Sequence, residues 1–147
     1  MLVHDFGTVG LSVSEVATEV VADAGGWLQR AATDACEDGA RVVRPGAEDE
    51  AMAARVTVGP ARHRGDVVVI PLVWEMRGHA APFRRLDADL ELADLTMVAT
   101  HVKLMGHYDP AGARDRWTTH RAVELAVRSF LLRLAGRLET ETSGRRR

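Results

Sequence analysis

The sequence predicts an α+β fold in which one long C-terminal helix lies across an antiparallel sheet. Three patterns predict it. The middle of the chain carries apolar residues at period two, in runs separated by turn residues. The C-terminal quarter carries them at helical spacing, over a length that matches the width of a sheet. Between the first strand and the middle strands lies helical sequence interrupted by a glycine pair, Gly25-Gly26.

Residues 2–11 contain Val3, Phe6, Val9 and Leu11 in loose alternation, which predicts a first strand. Ser12 and Glu15 stand three apart, the spacing of a capping box, and place a helix start there. Val13, Val16, Val20 and Val21 form its apolar stripe, and Gly25-Gly26 is expected to end it. A second short helix is expected from about Trp27 to Cys36, stopping near Gly39. Arg41 to Ala47 reads as a short strand before the Pro45-Gly46 turn, and Glu48, Asp49 and Glu50 as a solvated acidic loop.

Met52, Ala54, Val56 and Val58 alternate with Arg55 and Thr57 in a half-buried strand that Gly59-Pro60 closes. Asp66 to Arg77 is the strongest strand pattern. Val68, Ile70, Leu72, Trp74 and Met76 share one face, and Val67, Val69 and Val73 make the other apolar too, so a central position is expected. Pro71 cannot donate to a ladder, which predicts a bulge or an edge segment there. After a loop at Gly78 to Pro82, Leu86, Ala88, Leu90 and Leu92 alternate with Arg85, Asp87, Asp89 and Glu91. A short connection at Asp94 to Thr96 leads to a last strand. Val98, Thr100, Val102, Leu104, Gly106 and Tyr108 lie on one face of it, and His101, Lys103 and His107 on the other. Asp109-Pro110 and Gly112 end the sheet.

Asp115 is the expected N-cap of the last helix, about Trp117 to Leu138. Val123, Val127, Phe130, Leu134 and Leu138 form its stripe, and its 22 residues give a rod of roughly 33 Å. Leu125 and Leu132 lie seven apart on another flank, near Arg121 and Arg128, where a homodimer contact is expected.

The chain has 147 residues, 46% hydrophobic and 27% charged, enough for one core without a disulfide or a structural metal. Residues 1–141 are expected to form a single domain and residues 142–147, with Arg145, Arg146 and Arg147, a disordered basic tail. The net charge of −2 gives no reason to expect nucleic acid as a partner. No apolar run reaches the ~18–20 residues of a membrane span, and the N-terminus lacks a signal-peptide pattern. With one cysteine, Cys36, no internal disulfide forms, and a cytoplasmic location is expected.

The order of strand, two short helices, several antiparallel strands and one long helix resembles the helix-grip fold of the START-like (SRPBCC) superfamily, which includes polyketide cyclases and plant pathogenesis-related proteins. Val68 to Glu75, Phe83 to Leu92 and Gly106-His107-Tyr108 before a proline-containing turn are similar to small actinobacterial members, as is a helix ending Phe130-Leu131-Leu132-Arg133-Leu134. The strand count is one short of that pattern. The resemblance implies a curved sheet wrapped around the C-terminal helix, leaving an apolar cavity for a lipid, sterol, polyketide or aromatic metabolite.

The residues that would line such a cavity are Trp74, Met76, Leu90, Thr100, Leu104, Tyr108, Val127 and Phe130. Their apolar bulk would desolvate a ligand, and Tyr108 and Thr100 would orient it. A cyclase or aromatase would need inward side chains that move protons, and only these two are polar. A third reading is an interaction domain whose interior is filled.

No catalytic residue, metal site or cofactor is expected. The six histidines show no HExxH spacing, and His101 and His107 are ~20 Å apart along a strand. No nucleophile elbow or phosphate-binding loop is present. Cys36 reads as a packed residue. Asp87, Asp89 and Glu91 read as a solvated strand face rather than an acid–base cluster.

Overall fold

The computed structural model describes residues 1–43, 53–78, 81–110 and 115–145. Its elements in order are β1 (Leu2–Val9), α1 (Val13–Ala22), α2 (Ala24–Val43), β2 (Ala53–Val58), β3 (Arg62–Arg64), β4 (Val67–Arg77), β5 (Phe83–Thr96), β6 (Ala99–Pro110) and α3 (Arg116–Arg145). The strands form one antiparallel sheet in the order β1-β6-β5-β4-β2, with β3 also paired to β4. This is the expected α+β arrangement. No helix among the described residues is long and apolar enough to cross a membrane.

The stripe of α3 is seated as its period requires: Val123, Val127, Phe130, Leu134 and Leu138 are all fully buried. Asp115 caps the helix, its Oδ1 accepting from the Thr118 amide at 2.9 Å. The helix does not stop at Leu138. It runs to Arg145, burying Thr142, and Arg145 forms an ion pair with Glu19. Residues 142–145 are therefore helical rather than a disordered tail; Arg146 and Arg147 lie outside the described residues.

The N-terminal helices differ from expectation at the glycine pair. Ser12 caps α1 as predicted, but α1 ends at Ala22 and Gly25-Gly26 falls in the first turn of α2. The reason is Asp23, whose Oδ1 accepts from the Gly26 amide at 3.2 Å and whose carbonyl accepts from Trp27 at 3.1 Å. A capping carboxylate just ahead of the pair outweighs the low helix propensity of glycine. The second helix also continues past Gly39 to Val43, so residues 41–43 are helical and not a strand. The remainder of that expected strand, the acidic loop and Met52 lie outside the described residues.

Two ion pairs tie α2 to α3. Arg137 makes a bidentate contact with Asp34 at 2.7 and 3.1 Å. Arg133 and Ser129 both donate to Asp38. On its other side α2 reaches the sheet: the Gln29 amide donates to the Ala54 carbonyl at 2.9 Å and accepts from the Val56 amide at 2.8 Å.

Pro71 needs no bulge, because β4 pairs with β5 without a register shift from Val68↔Leu92 to Glu75↔Arg85. In an antiparallel ladder a residue's N and O point to the same side. The Pro71 carbonyl accepts from Gly59, just past the end of β2, so its missing N–H faces the junction between β3 and β2. The strand at that junction, β3, has no counterpart in the sequence prediction. It returns through the two-residue turn Gly65-Asp66, with Gly65 at φ +60°, a conformation glycine adopts without strain. The β5–β6 turn is also displaced. β5 continues through Thr96, the turn is Met97-Val98, and Val98 is exposed rather than inward.

Inward residues line up in cross-strand rows. One is Val56–Trp74–Leu86–Tyr108, the next Val58–Leu72–Ala88–Gly106, and the next Ile70–Leu90–Leu104. Gly106 has no room for a side chain, since a Cβ there would stand 2.2 Å from the Asp87 carbonyl oxygen and 2.6 Å from the Ala88 Cβ.

Two stability measurements check this packing. Gly106→Ala is expected to cost about 1–3 kcal/mol by overpacking, and adding Ala88→Gly should restore only part of it, because the Asp87 carbonyl remains; denaturant titration of the wild type and the two variants reads this. The Arg137 hydrogen bonds hold the Asp34 carboxyl below the usual carboxylate range. A depressed folded pKa stabilises above the unfolded value and is lost as pH falls through the folded one. Asp34→Asn should cost about 1–2 kcal/mol near neutral pH, with the melting difference from the wild type shrinking below about pH 4.

Candidate functional site

The interior between sheet and α3 is built from the aromatic row upward. Trp74 is inward because it sits at even phase on β4, and its ring is fully buried. It packs edge-on against Phe83 at 5.1 Å between centroids and against Phe130 of α3 at 5.2 Å. Helix and sheet therefore touch directly through Trp74 and Phe130. The Trp74 Nε1 is buried and has no hydrogen-bond partner among the described residues.

Tyr108, two strands away in the same row, is also buried. Its Oη lies 2.8 Å from Nδ1 of His120 and 3.4 Å from the Met1 sulfur. The His120 Nε2 lies 3.2 Å from Oε1 of Glu124, one turn further along α3. The rings of Tyr108 and His120 stack at 5.9 Å. Burial, and secondarily Glu124, push the Tyr108 phenol above its ordinary pKa, so it is a hydroxyl and not a phenolate.

Of the eight residues expected to line a pocket, seven are buried apolar or aromatic residues of one core cluster: Trp74, Met76, Leu90, Leu104, Tyr108, Val127 and Phe130. Thr100 is placed differently. It is fully buried, but eight residues from Tyr108 on β6, roughly 26 Å along the strand. Its hydroxyl donates to the Leu11 carbonyl at 2.8 Å, where β1 hands over to α1. That bond makes it a junction residue. His120 and Glu124 do not stand out by sequence reasoning. The signal that marks them is an i,i+4 His–Glu pair on a helix whose first turn follows closely on the strand bearing Tyr108.

The outer face of the sheet carries a shallow groove of about 610 Å³. Its floor is the backbone of Val58, Leu72, Ala88 and Gly106, and its walls include Val73, Asp87 and His107 on one side and Pro71, Asp89 and Met105 on the other. The outward carboxylates are paired: Asp87 with Arg85, Asp89 with Arg62, and Glu91 with Arg64 and Lys103. Arg85 holds the Asp87 carboxyl below its usual range, the opposite of a general acid. Cys36 is buried, and desolvation with Glu37 pushes its thiol up to about 11, which leaves it a packed residue and not a nucleophile.

No family model matches the sequence, and no curated protein matches it. Solved structures do share its fold. A conserved protein from Geobacillus kaustophilus superposes with a TM-score of 0.61 at 10% identity, over 95% of this chain and 96% of that one. A protein from Thermus thermophilus, TTHA0849, gives 0.54 at 12% identity, over 96% and 99%. A START superfamily protein from Mycobacterium smegmatis gives 0.50 at 11% identity, over 95% and 97%. Identities this low speak for the fold alone. With its curved sheet gripping α3, the chain has the START-like helix-grip fold.

Proposed function

We propose that this protein binds a small, largely apolar molecule, such as a lipid, polyketide or aromatic metabolite, between its sheet and α3. One observation carries the reading: the indole N–H of Trp74, buried in an apolar interior, has no partner among the described residues. Native interiors seldom leave a buried donor unused, since an unmade hydrogen bond costs about 1–3 kcal/mol. An acceptor brought by a ligand would remove that cost. The START-like resemblance supports the same occupant. Binding would part Phe130 from Trp74 and place the ligand over Leu86 or over Ala88 and Gly106, the small residues of the adjoining row. Desolvation at about 25 cal/mol per Å² of apolar surface supplies the driving force.

The second reading is a domain whose interior is simply filled, and the direct Trp74–Phe130 contact favours it. Titration with palmitic acid, cholesterol and the aromatic polyketide emodin separates the two. The binding reading expects a change in tryptophan emission that disappears in Trp74→Phe, although Trp27 and Trp117 remain. Unchanged emission with all three, and no co-purified mass in native mass spectrometry, leaves the filled interior standing.

Homodimerisation through the outer flank of α3 is a separate proposal. Leu125 and Leu132 are 44% and 66% exposed, and Arg128 beside them pairs with Asp5 of β1. Light scattering at high micromolar concentration should give a dimer mass that Leu132→Glu abolishes. A monomer mass for the wild type rejects the contact.

A further inference from the structure

The hydrogen-bond roles around Tyr108 restrict which molecule fits the site, and this inference rests on the binding reading above. The Glu124 carboxylate stands 3.2 Å from Nε2 of His120, and its negative charge favours a proton on that nitrogen. A neutral imidazole has one N–H, which leaves Nδ1 bare. In that tautomer the Tyr108 hydroxyl donates to Nδ1, 2.8 Å away. The other neighbour of Oη is the Met1 thioether, which has no proton to give. With the proton on Nε2, Oη donates once and accepts nothing among the described residues. Trp74 Nε1 is its complement, a buried donor with no acceptor among the described residues. Both residues stand in the row Val56–Trp74–Leu86–Tyr108, two strand spacings or about 10 Å apart at the backbone, with only Leu86 between them.

We propose that the site selects an apolar molecule with a hydrogen-bond donor, a hydroxyl or N–H group, at the end that meets Tyr108 Oη. An acceptor such as a carbonyl lies at the other end, facing Trp74 Nε1. His120 and Glu124 are positioning residues. They touch no ligand, and they hold Tyr108 in its accepting role by fixing where the protons lie. Without them the phenol would be free to donate, and the preference would turn toward acceptors.

The test compares 6-acetyl-2-naphthol with its methyl ether, 6-methoxy-2-acetonaphthone, at pH 8. The two share the carbonyl and the ring system and differ in the donor. The wild type should bind the naphthol roughly three- to tenfold more tightly, the effect of one net hydrogen bond. Tyr108→Phe should abolish that ratio, whereas a preference caused only by the bulk of the methyl group would survive it. Glu124→Ala, a half-buried position outside the core cluster, should shrink the ratio by freeing the His120 tautomer. Trp74→Phe should weaken both probes and leave the ratio intact. Nitrogen-15 spectra of the free protein should place the His120 proton on Nε2. A proton on Nδ1, equal affinity of the wild type for the two probes, or a ratio that persists in Tyr108→Phe overturns the inference while leaving the binding reading in place. Failure of both probes to bind overturns the binding reading and this inference with it.

Discussion

Trp74 meets Phe130 across the boundary between sheet and helix, and the rest of the molecule is arranged around keeping that boundary dry. The contact requires β4 to present its even-numbered residues inward, which the pairing of β4 with β5 and β2 enforces in one register. It also requires α3 to lie in one rotation about its axis, which its five fully buried stripe residues demand. The position of α3 is set from outside as well. Arg133 and Arg137 anchor it to α2, Arg128 to β1, and Glu139 accepts from the Gly10 amide. The apolar contact supplies the attraction, and the peripheral ion pairs limit how the helix can slide.

Features set by periodicity were legible in the sequence. The inward faces of β4, β5 and β6, the stripe of α3 and both side-chain caps, Ser12 and Asp115, follow from local rules that tertiary structure did not override. What was not legible depended on a partner far away in sequence or on a competing local bond. Gly25-Gly26 reads as a stop until Asp23 is seen capping the next helix. Pro71 reads as a bulge or an edge segment, and only the placement of β2 and β3 on either side of it selects the edge. β3 is three residues of alternating charge and imidazole, with no apolar face to announce it.

The candidate site divides along the same line. Its apolar members could be named from phase alone, because inward phase on a strand or helix is the same whether a residue fills a core or lines a pocket. Its polar members could not. Thr100 shares the phase of Tyr108, yet its hydroxyl is used by the Leu11 carbonyl, 89 residues away in sequence. His120 and Glu124 gain meaning only when α3 is docked over the end of β6. Trp74 and Tyr108 are two polar points in one inward row, with only Leu86 between them. Asp87, Asp89 and Glu91 of β5 stand outside, each paired with a basic neighbour.

The edge formed by β2 and β3 has a consequence for the crowded solution in which any protein must persist. An uncovered strand edge offers a row of amides and carbonyls to any passing chain, and is a common start of aggregation. Here the Gln29 amide occupies the outer Val56 N–H and Ala54 carbonyl, much as a neighbouring strand would. Where β2 stops and β3 has yet to begin, β4 is bared at Pro71, the one residue of that strand with no proton to offer, and Gly59 already holds its carbonyl. An intruding strand finds neither donor nor acceptor at the gap, so the proline that looks out of place in a central strand guards the sheet against growth by addition.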